Sequence, residues 1–187
     1  MKKVLLIIAS KGFQPIEYAI PRQILQDEDI KVLTASDARD KSGNAISSDG
    51  SSVKVDLILE DVKAEDFDGI FIIGGSGTME HLDNQRTYRI IHEIDREPNK
   101  IYGAICISTR ILANADVLEG YRVTGWDEDN QLKGILKDCG AKYIAESVVV
   151  DRNIITAAGP NNAQEFGEAI LKTLYRTKID KPYSPPY

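Results

Sequence analysis

A chain of 187 residues is long enough for one domain with a full core and short for two. Its 23 lysines and arginines stand against 29 aspartates and glutamates, a net charge of -6 with no basic run to follow a phosphate backbone, which argues against nucleic acid as a partner. Two cysteines are too few for a disulfide framework and, with only two histidines, leave no metal-ligand cluster, so neither metal nor cofactor is expected.

The apolar stretch at residues 4–9 is too short for the core of a secretory signal and far below the roughly 20 residues that span a bilayer. It predicts a buried first strand in a soluble cytoplasmic protein with no membrane partner. An amphipathic helix follows over 15–26 and a strand over 30–35. The polar, Gly- and Ser-rich section 37–52 predicts a turn or an antiparallel excursion before a strand over 53–59. A buried strand at 69–73 leads into the loop Gly74-Gly75-Ser76-Gly77 and a helix over about 87–97, and a second apolar strand breaks into a helix at Cys106. Beyond it lie a short strand at 121–124, a helix at 130–139 closed by Gly140, a hairpin pairing 148–150 with 154–157, and a last helix at 161–175. Short all-apolar strands separated by helices predict an α/β fold with a mostly parallel sheet covered on both faces. The domain is expected at residues 1–176; the Pro- and Tyr-rich tail at 177–187 suits neither helix nor central strand and is expected to be flexible or draped on the surface.

In a doubly wound sheet the site lies beyond the carboxyl ends of the strands, where the loop with Glu17, the glycine loop and the break at Cys106 converge. A thiol on a tight strand-to-helix turn projects from the sheet edge above the N–H groups of the next helix, which favours thiolate, so Cys106 is the candidate nucleophile; the alternative is a buried structural cysteine. Gly74, Gly75 and Gly77 let backbone N–H groups approach a developing oxyanion. A lone glutamate at a helix start, such as Glu17, is by default a surface carboxylate that complements the dipole.

In combination, Gly12 followed five residues later by Glu17, the loop Ile73-Gly74-Gly75, the elbow Ala104-Ile105-Cys106, the phrase Val117-Leu118-Glu119-Gly120, and Gly159-Pro160 before a helix containing Glu165-Phe166 resemble the ThiJ/PfpI superfamily over about residues 2–176. The resemblance implies a flavodoxin-like three-layer sandwich of the class I glutamine amidotransferase-like type, usually a homodimer, with the cysteine on a strained nucleophile elbow. By the same resemblance Cys106 is the reactive cysteine, Glu17 its protonated partner, and Gly75 with the Ile107 N–H, beside Gly74, the oxyanion donors. Peptidase-like members carry histidine where this chain has Ile107, and other members carry one where it has Trp126, which argues against a Cys-His-acid mechanism. His81 and His92 are expected at the surface or an interface.

Arg110, one helical turn after Cys106, is a candidate to face the site and lower the thiol pKa. Trp126 is a candidate pocket wall by alignment with the family, and Cys139 reads as structural. Asp127, Glu128 and Asp129 read as a solvated helix start, with Asp127 a candidate carboxylate near the site. Two functions follow. One is a hydrolase or hydratase acting on a small-molecule electrophile through Cys106 and Glu17, which survives the missing histidine because isonitrile-hydrating relatives work without it. The other is a redox-sensing or stress-response protein in which Cys106 is oxidised to a sulfinate held by Glu17.

Overall fold

The structure is a computed structural model that describes residues 1–176; the expected tail at 177–187 lies outside the described residues. Strand β1 (Lys3–Ile8) is wholly buried from Val4 onward, because a strand with helices on both faces has no solvent side for polar residues. A short strand β2 (Lys11–Phe13) leads into helix α1 (Pro15–Asp27) and strand β3 (Lys31–Ser36). The excursion β4 (Asn44–Ser47) and β5 (Ser52–Lys54) precedes β6 (Leu57–Ile58). The chain then recrosses to β7 (Gly69–Ile72) and passes through α2 (Thr78–Leu82) and α3 (Gln85–Asp95) to β8 (Ile101–Ile105). Next come α4 (Thr109–Asn114), β9 (Arg122–Val123), α5 (Leu132–Asp138) and β10 (Lys142–Tyr143). The hairpin β11 (Val148–Asp151) and β12 (Ile154–Ala157) and helix α6 (Ala163–Leu174) follow.

The main sheet runs β11-β12-β8-β7-β1-β3-β6 and is parallel except for β11, which is antiparallel to β12. Helices α1 and α6 pack together, close enough that a Cβ on Gly167 would lie 3.0 Å from Pro21 Cα, and α3 with α4 forms a second helical layer. This is the expected three-layer α/β sandwich. From β1 the chain moves first to β3 on one side and later to β7 on the other, so the loops after β1, β7 and β8 meet around one crevice.

Where the elements differ from expectation, the reasons are local. The stretch expected as one strand at 53–59 serves two sheets: β5 pairs with β4, β6 pairs with β3, and the chain bends between them where Val55 N–H donates to Gly43 O and Asp56 N–H to Thr34 O. The expected helix at 87–97 starts earlier, because the Asn84 side chain accepts from the N–H groups of Arg86 and Thr87. The helix expected at 130–139 starts later, at Leu132, whose N–H donates to Asp127 Oδ1 at 2.7 Å. The strand expected at 121–124 does not join the main sheet; β9 pairs with β10 instead. The excursion forms the antiparallel pair β4–β5, joined by β2. Among the described residues no helix is long and apolar enough to cross a membrane.

Strand β8 lies so close to β12 that a Cβ on Gly103 would collide with the carbonyl of Ile155, whereas one on Gly134, on the exposed side of α5, would meet nothing within 4 Å. Gly103→Ala is therefore expected to destabilise by about 1–3 kcal/mol or more. Gly134→Ala should stabilise by roughly 0.5–1 kcal/mol. Urea unfolding of the two variants checks this, and equal midpoints would contradict it.

Candidate active site

The site forms where the segment after β1 is pressed against the loop after β7. Gln14 N–H donates to Gly74 O at 2.8 Å, and the Gln14 side chain caps α1 by accepting from Ile16 N–H at 2.9 Å. Pro15 opens the helix, and two residues later Glu17 points inward with 0% exposure. It is not the surface carboxylate that its position alone suggests. Its Oε2 accepts from Gly74 N–H at 3.0 Å, while Oε1 is buried without a direct partner.

Gly74 is what lets the carboxyl and the thiol meet. A Cβ there would sit 2.7 Å from both Cys106 Cβ and Glu17 Oε2. Gly75, at φ 132°, is held against the Gly12 carbonyl and would bring a Cβ within 2.5 Å of Gln14 N. Cys106 follows β8 at φ 66°, the left-handed region that costs a non-glycine residue roughly 1–3 kcal/mol, so the elbow is a strained one. Packing enforces it: Ser108 Oγ donates to Ile72 O at 2.8 Å, Thr109 Oγ1 to Thr124 O at 3.0 Å, and Trp126 N–H to Cys106 O at 3.1 Å.

Burial pushes the Glu17 carboxyl up to about 7, against the opposing hydrogen bonds from Cys106 and Gly74. Burial, and after it the Glu17 charge, pushes the Cys106 thiol up to about 12, opposed by the Ile107 N–H and reinforced by Glu128. This corrects the expectation of a thiolate favoured by the following helix. Cys106 opens a 3₁₀ turn, and α4 behind it has only six residues, too short to carry a dipole that outweighs desolvation. The two titrations are coupled: the carboxyl ionises first, near 7, and its charge is among the causes that hold the thiol up.

The pair lies at a cavity of about 900 Å³, whose lining includes Glu17, Gly75, Cys106, Ile107 and Trp126. Five of the seven residues singled out in the sequence thus converge on one space, with Gly74 packed between Glu17 and Cys106. Arg110 is the exception. Its guanidinium pairs with Asp129 at 2.6 Å and stacks 5.3 Å from the Trp126 ring centroid, off the lining and outside the groups that set the thiol. It props Trp126 rather than activating Cys106.

His81 pairs with Asp37 at 3.2 Å and His92 lies 2.7 Å from Ala115 O, and neither lines the cavity. Cys139 donates to Leu136 O at 3.3 Å at the end of α5, where burial raises its pKa. Asp127 lines the cavity but uses one carboxylate oxygen to cap α5. The sequence reading missed Glu128 and Tyr143 as lining residues; the run 127–129 flagged charge but not which of its carboxylates faces inward, and Tyr143 carried no signal. Among the described residues no cluster of three or more His, Cys, Asp or Glu is placed to hold a metal ion.

The sequence pattern of the DJ-1/PfpI family matches residues 2–173. The chain belongs to the DJ-1/PfpI family. An uncharacterized protein of Methanocaldococcus jannaschii is 34% identical over 173 residues, covering 92% of this chain and 82% of that protein. Among solved structures, a ThiJ/PfpI domain protein from Brachyspira murdochii superposes with a TM-score of 0.82 at 27% identity, covering 92% of this chain and 95% of the other. Drosophila melanogaster DJ-1beta does so with 0.80 at 27%, covering 93% and 91%. The flavodoxin-like fold expected from the sequence is thereby shown. As a DJ-1/PfpI protein, this chain places Ile107 directly after its elbow cysteine and Trp126 on the cavity wall.

A carboxyl whose folded pKa is raised holds its proton in the native state at pH values where the unfolded chain, near 4.5, has already lost it. Stability tied to Glu17 is therefore full below about 4.5 and is lost as pH rises to about 7, above which the loss levels off. Glu17→Gln is expected to remove that decline, so that the variant is the more stable protein at neutral pH. Denaturant unfolding across this range checks it; parallel curves for the two proteins would contradict the buried-carboxyl account.

Proposed function

We propose that the chain is a small-molecule hydrolase or hydratase that uses Cys106 as nucleophile and Glu17 as proton carrier, without a histidine base, in a cytoplasmic homodimer. The observation that carries this reading is a fully buried carboxyl beside the thiol of a strained elbow, opening on a cavity sized for a small molecule. Once the pair has lost one proton, Sγ attacks the carbon of a carbonyl or nitrile. The C–S bond forms, the π electron pair moves to oxygen or nitrogen, and that atom takes the shared proton from Glu17. In an isonitrile the same proton goes to the carbon. Gly75 and Ile107 are the backbone groups beside the developing charge, and the Ile107 N–H already points to the sulfur. With an amide the tetrahedral carbon first expels the amine, which leaves with the proton taken up at oxygen, so that a thioester remains. Water then adds to the carbon of the thioester or thioimidate, the C–S bond breaks with its electron pair returning to sulfur, and a proton from water restores the pair.

A second reading has its own support. The unpartnered Oε1 of Glu17 suits a hydrogen bond to an oxygen added to Cys106. Two equivalents of peroxide would convert the thiol to a sulfinic acid with release of two waters, and the protonated Glu17 would hold the sulfinate.

Purified protein assayed against glyoxals, isonitriles and small amides decides between them. The enzyme reading expects turnover that rises with pH to a plateau above about 7 and is abolished in Cys106→Ser. Glu17→Gln should slow it by about 10²–10⁴. Peptidase activity should be absent. Turnover unaffected by Cys106→Ser would overturn the reading. A gain of two oxygens at Cys106 under mild peroxide with no turnover of any of these substrates would favour the sensor.

A further inference from the structure

The charged side chains on the cavity lining are Glu17, Asp127 and Glu128, and among the described residues no lysine, arginine or histidine joins them. The three acidic groups are not equivalent. Glu17 is occupied with Cys106 and Gly74, and Asp127 with the first turn of α5. The neighbouring Asp129 is neutralised by Arg110 behind the wall. Glu128 is exposed, has no hydrogen-bond or ion-pair partner among the described residues, and still reaches the Cys106 sulfur electrostatically. Two aromatic rings, Trp126 and Tyr143, share the lining with it. Aromatic faces beside an unpaired carboxylate attract organic cations and repel anions.

We infer that the electrophile taken by this cavity carries a positive charge, as an ammonium, guanidinium or amidinium group, and that Glu128 is the residue that selects it. The inference rests on Cys106 being the nucleophile only for the identity of the reacting end; the charge preference stands on the lining itself. An anionic substrate would meet the monoanionic Glu17–Cys106 pair and Glu128 together with no cation on the wall to offset them. A cation placed against Trp126 and Tyr143 would be drawn to Glu128 while its electrophilic end faces Sγ.

Two measurements test this. Methanethiosulfonates bearing a trimethylammonium, a methyl or a sulfonate group differ in charge but share one reaction: the cysteine sulfur attacks the sulfenyl sulfur, an S–S bond forms, and methanesulfinate leaves with the bonding pair. Peptide mass spectrometry reads Cys106 separately from Cys139, and each rate is divided by that reagent's rate with a free small thiol. The cationic reagent is expected to modify Cys106 about tenfold or more faster than the anionic one. Glu128→Gln should bring the ratio towards unity, whereas Glu168→Gln, which removes an exposed charge on α6, should leave it unchanged.

The second measurement needs no reactive cysteine. Trp126 is the chain's only tryptophan, so its fluorescence reports the cavity directly. With each ion's quenching divided by its quenching of free N-acetyltryptophanamide, caesium should exceed iodide, and Glu128→Gln should shrink the difference while Glu168→Gln does not. Equal responses of wild type and Glu128→Gln in both measurements, or a preference for the anionic probes, would overturn the inference while leaving the nucleophile untouched. A Cys106 inert to all three reagents, with the quenching preference intact, would instead overturn the catalytic reading and leave charge selection standing.

Discussion

A single buried contact organises this site: the Glu17 carboxyl lodged between the Gly74 N–H and the Cys106 thiol. Removing a carboxyl from water is costly unless it is hydrogen-bonded or protonated, and the protein uses both remedies. The contact needs three separate pieces of chain brought within a few ångströms. The parallel order of β1, β7 and β8 places their ends side by side, the absence of a Cβ at Gly74 leaves room for two side chains, and the left-handed backbone at Cys106 turns the thiol inward.

The electrostatics of the pair decide what chemistry is open to it. An isolated thiol held this far up in pKa would be a poor nucleophile at neutral pH. Beside a carboxyl that gives up its proton near 7, it has a proton acceptor within a short path, and in the proposed reaction attack by sulfur and proton delivery by the carboxyl belong to one event. The proposed reaction thus moves its proton without a histidine on the lining. The Trp126 wall is fixed by a different device, the Arg110–Asp129 pair supporting the ring, so that the aromatic surface does not depend on the acidic groups facing the cavity.

Most of the architecture was readable because buried parallel strands leave an unmistakable pattern: 4–9, 69–73 and the run before Cys106 carry no polar alternation at all. Glu17, Gly75, Cys106, Ile107 and Trp126 were named from sequence and meet on one cavity. Elements held by context rather than by periodicity escaped notice, among them β2 and β10. Electrostatic roles escaped too. One helical turn placed Arg110 near Cys106, yet Asp129 competes for its guanidinium, and that preference is set by the path of the 124–130 loop. The thiol was misjudged for the same reason, because the degree of burial and the length of α4 are properties of the folded chain.

The central claim is that the titrations of Glu17 and Cys106 are coupled, and carbon-13 NMR of the glutamate side-chain carboxyls addresses it most directly. The account predicts a single Glu17 resonance titrating near 7, displaced to a different midpoint when Cys106 is replaced by alanine. A Glu17 resonance that titrates near the ordinary 4.5 and ignores the replacement of Cys106 would contradict the account.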